Sequence, residues 1–194
     1  MSAELWLIRH GETEWSLNGK HTSRTDISLT DEGRRLAEHL REYLAGRDFS
    51  TVFCSPMQRA RETCAIAGFG DVAVIDEGLS EWDYGVYEGR TTQEIRAELP
   101  GWNVFRYSIV GGESLEHVGE RANDVIRRAL AAAGDNGRVA MFAHAHILRI
   151  LAAKWIGQPA AGGQSLVLGP GSVSVLGFER ETRVIVRWNR EFEG

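Results

Sequence analysis

Short apolar runs alternate along the chain with amphipathic segments of helical period. The runs cover residues 5–8, 51–54, 72–75 and 139–143, and they are rich in residues that favour strands. Between them, apolar positions recur every three or four residues, as on one face of a helix. Strands that alternate with amphipathic helices predict an α/β sandwich.

Capping residues indicate where the helices begin and end. Thr30, followed by two acidic residues, predicts a helix that ends at Gly46, and Ser114 predicts the start of another. Ser55 and Pro56 predict an N-cap with proline in the first helical position, for a helix that runs to about residue 67.

The last part of the chain predicts one more helix and then a hairpin. The helix extends from near His146 to Gly157, a typical left-handed C-cap. Residues 172–179 and 183–189 are β-branched runs separated by a polar turn, which predicts a terminal hairpin late in the sheet, at an edge. Because an exposed edge strand can pair with a second copy, a homodimer is one expected arrangement.

Composition is typical of a compact globular protein. The chain has 194 residues, of which 43% are hydrophobic, and it has no linker or repeat, so we expect one domain over 1–194. Its 22 Lys and Arg against 27 Asp and Glu give a formal net charge of -5. This charge lacks the basic excess of a nucleic-acid binder, so no nucleic-acid partner is expected.

Cysteine usage and hydropathy favour a reducing compartment. Cys54 and Cys64 lack the spacing of a disulfide framework or a zinc site. The N-terminus shows no signal sequence, and no window reaches ~18 consecutive apolar residues. We therefore expect a cytoplasmic protein with no membrane partner.

Cations and imidazoles follow three of the predicted strands. Arg9 and His10 come directly after the first strand, Arg59 follows the second, and His144 follows the run 139–143. If these strands are parallel neighbours, the side chains converge outside the carboxyl ends of the strands, where α/β proteins bind ligands. Guanidinium groups match phosphate oxygens, and an imidazole can attack phosphorus, so this set predicts a phosphoryl-group site.

The residues around these positions resemble a known family. The sequence is similar to the histidine phosphatase superfamily, in its phosphoglycerate-mutase-like branch, through the segments LIRHGETEW (7–15), TDISLTDEGRRLA (25–37), FCSPMQRARET (53–63), LSEWDYGVYEG (79–89), GGES (111–114) and FAHAHILR (142–149). The forms TEWS and EWDYG also resemble members described as acid phosphatases and sugar-bisphosphate phosphatases.

The resemblance implies a three-layer sandwich with a mostly parallel central sheet flanked by helices. It also implies that His10 is phosphorylated transiently, that Arg9, Arg59 and His144 form the phosphate pocket, and that Glu81 is the proton donor.

Five further residues are substrate-binding candidates. Thr22 matches a family position near the transferred phosphate, and Ser23 follows it where the family usually has glycine. Tyr84 matches a substrate-facing position, with a core aromatic as the alternative. His21 is placed to reach the remote part of a substrate, and His146 is either structural or a hydrogen-bond donor on the phosphate side.

A cap over the crevice is expected from about residue 90 to 112. This stretch contains a short helix near 92–99 and then Trp102, Phe105 and Tyr107. These aromatic side chains either pack as a lid, which we favour, or contact an apolar part of the substrate.

The leading function is a metal-independent phosphomonoesterase that acts on small phosphorylated metabolites and needs no cofactor. The cations already supply the charge that a metal would, and no carboxylate cluster is apparent. A cofactor-dependent phosphoglycerate mutase is the alternative enzyme, but Thr92 replaces the mutase lysine, and Arg106 stands alone where mutases carry an arginine pair. A non-catalytic phosphoprotein-binding module is a third hypothesis, and the intact nucleophile and acid argue against it.

Overall fold

A computed structural model describes residues 2–192 as one six-stranded mixed sheet with helices on both faces. The strand order is β3-β2-β4-β1-β5-β6. The first four in this order are parallel to one another, and β5 and β6 are antiparallel. The strands are β1 (Glu4–Arg9), β2 (Thr51–Cys54), β3 (Ala73–Ile75), β4 (Arg138–Ala143), β5 (Val173–Glu179) and β6 (Thr182–Arg190). The prediction of a mostly parallel α/β sheet is confirmed.

Helices cover both faces of this sheet. They are α1 (Glu14–Leu17), α2 (Asp31–Leu44), α3 (Gln58–Ile66), α4 (Thr92–Glu98), α5 (Leu115–Ala133) and α6 (Ala145–Trp155), with three short 3₁₀ turns between elements. Within the described range, none of these helices is long and apolar enough to span a lipid bilayer.

Alternate residues of each central strand pack into two separate cores. In β1, Leu5 and Leu7 join a core with α5 and α6, whereas Trp6 and Ile8 join a core with α2 and α3. A parallel strand that is buried on both faces needs apolar residues at every position, which explains the continuous apolar runs of the sequence. The three layers are therefore helix, sheet and helix, as the resemblance implied.

One predicted helix start is wrong. The helix after β2 begins at Gln58 with Met57 as its N-cap, and the Met57 side chain accepts no capping hydrogen bond. Instead, the carboxylate of Asp26, far away in sequence, accepts the Gln58 N–H at 2.7 Å. The Ser55 hydroxyl bonds a buried imidazole, described below, and its contact with the Met57 N–H is long, at 3.4 Å. By contrast, Thr30 caps α2 as predicted, accepting the Gly33 N–H at 3.0 Å.

The two edges of the sheet are β6 and β3. The predicted terminal hairpin is present, and its second strand, β6, forms one edge. At the other edge, Val72 and Val74 beside and within the short β3 are 63% and 52% exposed. Homodimerisation through an edge stays a prediction.

Candidate active site

The carboxyl ends of three parallel strands meet at one edge of the sheet. β4 lies between β1 and β2, so the residues that follow these strands, His10, His144 and Ser55, are brought together. The rings of His10 and His144 have their centroids 5.2 Å apart. The convergence that the strand-end pattern predicts is therefore present.

The turn after β1 is held by close backbone packing. Gly11 donates its N–H to Thr63 Oγ1 at 3.0 Å, and that hydroxyl donates to the Arg59 carbonyl at 2.7 Å. Where the turn meets the first turn of α2, a Cβ on Gly33 would lie 2.1 Å from the carbonyl oxygen of Glu12. Only glycine allows this approach, which fixes the backbone beside His10.

His10 is a buried, neutral imidazole with one nitrogen free. Its Nδ1 lies 2.7 Å from the Gly11 carbonyl oxygen, which can only accept, so Nδ1 carries the proton and Nε2 keeps its lone pair. Burial, then the charges of Arg59 and Arg9, hold the pKa of His10 well below its usual value. The ring is therefore uncharged at neutral pH, with an available lone pair on Nε2.

Seven of the ten predicted site residues line one cavity of about 270 Å³. They are Arg9, His10, His21, Thr22, Glu81, Tyr84 and His146. The other three, Arg59, His144 and Ser23, do not line this cavity.

Arg9, which directly precedes His10 in the sequence, is one of the cations that line the pocket. Its Nη1 donates to the Leu168 carbonyl, and its buried Nε has no hydrogen-bond partner among residues 2–192. Burial lowers the pKa of Arg9 to about 10, so the guanidinium stays charged at neutral pH. Because Arg9 lines the pocket, its positive charge can attract an oxyanion there.

Arg59 and His144 lie behind the pocket and bond each other. Arg59 Nε donates to His144 Nδ1 at 3.2 Å, and the remaining donors reach the carbonyls of Thr22, Ser23 and Thr25 at 3.3, 3.2 and 3.1 Å. Arg59 thus connects the His144 imidazole to the loop 22–25 through hydrogen bonds. The structure does not place the guanidinium in the pocket wall, where the resemblance implied it.

Ser23 is also directed away from the pocket. Its N–H donates to the Glu88 carboxylate at 2.8 Å, and its carbonyl accepts from Arg59. The backbone contact to phosphate that the neighbouring family position implied is therefore already occupied here. Thr22, the residue before it, does line the pocket.

Ser55 is the residue that sequence reasoning missed. Its Oγ lies 2.7 Å from His144 Nε2. Because Arg59 Nε can only donate, His144 Nδ1 must accept, so Nε2 carries the proton and donates to Ser55. Burial, then Arg59, holds the pKa of His144 well below its usual value, so this neutral tautomer persists. The sequence does contain a signal for this role, a serine at the carboxyl end of a strand, but the same serine also fits the pattern of a helix N-cap.

Glu81 is held at the start of α6 by three backbone N–H groups. Its Oε1 accepts from Trp82 and Ile147, each at 2.9 Å, and Oε2 accepts from His146 at 3.0 Å. Anionic groups are stabilised at helix N-termini, and the side chain is 6% exposed, so the carboxyl is oriented rigidly. It lines the same pocket as His10.

Tyr84, His146 and His21 form a neutral wall beside Glu81. The Tyr84 hydroxyl lies 2.6 Å from His146 Nδ1. Burial raises the pKa of Tyr84 and lowers that of His146, so both partners of this hydrogen bond are neutral. Burial also lowers the pKa of His21 to about 4, and its ring packs 4.9 Å from Tyr84. This wall offers hydrogen bonds without charge.

Two aromatic residues of the expected cap pack behind that wall. Trp102 lies 5.2 Å from the His21 ring and Phe105 lies 5.4 Å from the His146 ring, between centroids. Neither lines the pocket, and Tyr107 is 40% exposed. Trp102 and Phe105 therefore do not contact the pocket, and a lid formed by this segment stays a prediction.

The sequence is similar to known proteins over most of its length. A family model described as histidine phosphatase superfamily (branch 1) matches residues 5–191. The chain is 39% identical over 183 residues to an acid phosphatase of Mycobacterium tuberculosis, covering 92% of this chain and 88% of the relative. It is 31% identical to a 2,3-bisphosphoglycerate-dependent phosphoglycerate mutase of Mesorhizobium japonicum, covering 88% and 90%.

Solved structures are similar over nearly the whole chain. The structure of an open reading frame from Mycobacterium tuberculosis superimposes with a TM-score of 0.92 at 34% identity, covering 97% of this chain and 98% of that one. A mycobacterial glucosyl-3-phosphoglycerate phosphatase in complex with VO3 gives a TM-score of 0.86 at 26% identity, covering 97% and 99%.

The role of Ser55 is testable by changing it to alanine. Ser55→Ala removes the acceptor of the buried His144 Nε2–H, so we expect a loss of about 1 to 3 kcal/mol in the free energy of unfolding. In the parent protein the His144 Nε2 proton should exchange slowly with water. In Ser55→Ala, ¹⁵N spectra of the imidazole rings should show a much faster exchange of this proton.

The matched control is Ser174→Ala. Ser174, on β5, is as buried as Ser55, and its hydroxyl accepts a hydrogen bond from the Asn189 N–H at 2.9 Å. This variant should lose similar stability and leave the His144 signal unchanged. A His144 signal that is unaffected in Ser55→Ala, or that shows the Nδ1–H tautomer in the parent, would contradict the assignment.

Proposed function

The chain belongs to branch 1 of the histidine phosphatase superfamily, and we propose that it is a metal-independent phosphomonoesterase that works through a phosphohistidine at His10. The observation that carries the proposal is the neutral His10 ring, with Nδ1 bonded to the Gly11 carbonyl and Nε2 free in a pocket shared with Arg9 and Glu81. The proposed substrates are small phosphorylated metabolites. Relatives named sedoheptulose 1,7-bisphosphatase and glucosyl-3-phosphoglycerate phosphatase support that class.

In the first step, His10 Nε2 attacks phosphorus. The N–P bond forms as the ester P–O bond breaks, and the leaving oxygen takes the proton of Glu81. Arg9, a charged residue of the pocket lining, stabilises the negative charge on the phosphoryl oxygens. The Gly11 carbonyl accepts a hydrogen bond from His10 Nδ1–H, and this bond stabilises the positive charge that develops on the ring.

In the second step, water hydrolyses the phosphohistidine. Glu81, now a carboxylate, takes a proton from the water as its oxygen attacks phosphorus, and the N–P bond breaks to return the lone pair to His10. Three backbone N–H groups orient the carboxylate for this role. Inorganic phosphate is the second product, and Glu81 is again protonated.

The proposed reaction draws its positive charge from side chains. Arg9 lines the pocket, and Arg59 lies behind the loop that carries Thr22. Residues 2–192 contain no group of three or more His, Cys, Asp and Glu side chains arranged to hold a metal ion. The proposal therefore invokes neither a metal nor another cofactor.

The phosphoglycerate mutase remains the second candidate because relatives with that name match this chain. Two observations favour the phosphatase. Thr92, where mutases have lysine, places its hydroxyl 3.3 Å from His21 Nε2, and Arg106 bonds Gln164 at 3.3 Å without lining the pocket. A non-catalytic binding module would need neither the free Nε2 of His10 nor Glu81 in the same pocket.

The proposal is tested by trapping the covalent intermediate. Enzyme quenched during turnover of a labelled phosphomonoester should carry an acid-labile, alkali-stable adduct, because a phosphoramidate bond has that stability. His10→Ala should lose the adduct and essentially all phosphate release. His117→Ala, a change at an exposed histidine of α5, should keep both. Full activity in His10→Ala would refute the proposal.

The proton donor is tested through leaving-group dependence. General acid catalysis is worth ~10² to 10⁴ in rate, so Glu81→Gln should lose about 3 to 5 kcal/mol of transition-state stabilisation with alkyl esters. The loss should shrink for aryl esters, whose leaving groups depart without a full proton. Because hydrolysis of phosphohistidine also uses Glu81, the burst phase is the quantity to compare. Equal burst losses for both ester types would exclude Glu81 as the donor and point to Asp83.

Mutase activity should be at most a trace. When 3-phosphoglycerate is supplied with a bisphosphoglycerate primer, inorganic phosphate should appear faster than the isomeric monophosphoglycerate. The physical reason is that neither Thr92 nor Arg106 supplies charge to retain a bisphosphate between half-reactions. Efficient interconversion of the two monophosphoglycerates would reverse the ranking of the two enzymes.

A further inference from the structure

The residue proposed as proton donor lies on a segment without regular secondary structure. Residues 80–84, which carry Glu81, lie between the 3₁₀ turns Glu77–Leu79 and Gly85–Tyr87 and belong to no helix or strand. Three N–H groups orient the Glu81 carboxylate, but these bonds do not set the course of the backbone that carries it. The position of the segment 80–84 therefore depends on contacts with other elements.

Arg121, on α5, holds the backbone on the N-terminal side of Glu81. Its Nη1 donates to the carbonyl oxygens of Gly78 and Ser80 at 2.8 and 2.6 Å. The Arg121 side chain is 16% exposed, so these bonds are largely shielded from water. One guanidinium nitrogen thus bonds two carbonyls, the second of which belongs to the residue directly before Glu81.

Glu113, at the turn before α5, holds the C-terminal side of the same segment. Its Oε2 accepts the Asp83 N–H at 3.3 Å, and its N–H donates to the Asp83 carbonyl at 3.0 Å. Its carbonyl accepts the indole N–H of Trp82 at 2.9 Å. The approach of the two backbones is close, because a Cβ on Gly112 would lie 2.2 Å from the Asp83 carbonyl oxygen. The two residues that follow Glu81 are therefore both bonded to Glu113.

Glu113 and Arg121 are joined by a bidentate ion pair. Arg121 Nε and Nη2 donate to Glu113 Oε1 and Oε2 at 3.0 and 2.7 Å. His117, an exposed residue of α5, is a second neighbour of this carboxylate, with its Nδ1 3.0 Å from Oε1. A guanidinium and a carboxylate that form two parallel hydrogen bonds hold each other in one orientation. The pair thereby connects both sides of the segment around Glu81 in one network.

From this network we infer that Glu113 and Arg121 are positioning residues for general acid catalysis, because they hold the segment 80–84 where the Glu81 carboxyl reaches the leaving oxygen. The inference rests on the proposed function of Glu81. Neither Glu113 nor Arg121 lines the pocket, so both act through Glu81 and not on the substrate. A displacement of about 1 Å can cost ~10²-fold in rate, so loss of the pair should weaken proton donation and leave substrate binding intact.

An ion pair that only stabilises the fold predicts a different result. Loss of such a pair would lower the fraction of folded enzyme, and this loss affects every ester equally. Loss of a positioning pair affects each ester according to its need for a proton, which is greater for alkyl than for aryl leaving groups. The dependence of the loss on the leaving group therefore distinguishes the two roles.

Arg121→Ala and Glu113→Gln test the inference. In Arg121→Ala we expect the burst rate constant to fall about ten- to a hundredfold with alkyl esters and less than about threefold with aryl esters. The KM of each ester should change less than about twofold, because the residues that line the pocket are unchanged. Glu113→Gln keeps one oxygen that can accept a hydrogen bond, so it should show the same pattern with smaller losses. Thermal unfolding checks that each variant is folded at the assay temperature.

The matched control is Arg128→Ala. Arg128 lies about two turns further along α5 and forms the same kind of pair, with Nη2 2.7 and 2.8 Å from the two carboxylate oxygens of Asp76. Asp76 caps the 3₁₀ turn that precedes the segment 80–84. Arg128→Ala should lose stability and show the same burst as the parent enzyme with both ester types.

A double variant shows whether the pair acts through Glu81. In Glu81→Gln no proton donor remains to be positioned, so the addition of Arg121→Ala should lower the burst with alkyl esters by less than about threefold more. Full additivity of the two losses would overturn the inference. Equal losses on alkyl and aryl esters in both Arg121→Ala and Glu113→Gln, or no loss in either variant, would also overturn it.

Amide hydrogen exchange measures the positioning of Glu81 without reference to activity. The Glu81 carboxylate accepts the N–H groups of His146 and Ile147, in the first turn of α6. These two amides should exchange about tenfold faster or more in Arg121→Ala than in the parent enzyme, and at the parent rate in Arg128→Ala.

The exchange rates also separate the inference from the proposed function. If Glu81→Gln shows no dependence on the leaving group, the proposed role of Glu81 as the acid is refuted, and the exchange rates still decide whether the pair holds its carboxylate. Unchanged exchange of both amides in Arg121→Ala and in Glu113→Gln would overturn the inference, whatever the activity of these variants.

Discussion

The buried guanidinium of Arg59 is the interaction on which the site depends. It has no carboxylate partner in the described structure, and its donors are satisfied by His144 Nδ1 and by carbonyls of the loop 22–25. Leaving such donors unbonded in the interior is costly, so the strand end, the loop and α3 are held in one arrangement. One fixed cation thereby sets both the tautomer of His144 and the position of Thr22 at the pocket.

Burial beside cations keeps the site's imidazoles neutral. For His10 and His144, desolvation and the neighbouring guanidiniums act in the same direction and lower the pKa. Since the folded protein binds fewer protons than the unfolded chain below pH ~6.5, these groups cost stability as the pH falls. The same shift leaves His10 nucleophilic at neutral and mildly acidic pH, so it serves the proposed chemistry at the expense of acid stability.

The helix α6 organises the other half of the site. Its first turn supplies N–H groups of His146 and Ile147 to Glu81, and its second turn carries Arg149. The Tyr84 hydroxyl fixes the His146 ring, and the cap aromatics pack behind it. Glu81 is therefore held rigidly in the pocket whose lining it shares with His10.

The sheet, most of the helices and the strand-end residues are predictable from the sequence, because they follow from local periodicity and from where parallel strands end. Arg9, His10 and Glu81 were found in this way or through the family motifs, and all three line the pocket. Three interactions appear only in the folded structure: Ser55 with His144, 89 residues away, Asp26 with the N-terminus of α3, and Arg59 with His144 and the loop 22–25. Hydrogen-bond partners that lie far apart in the chain compete with local ones, and the outcome depends on packing that no local pattern encodes.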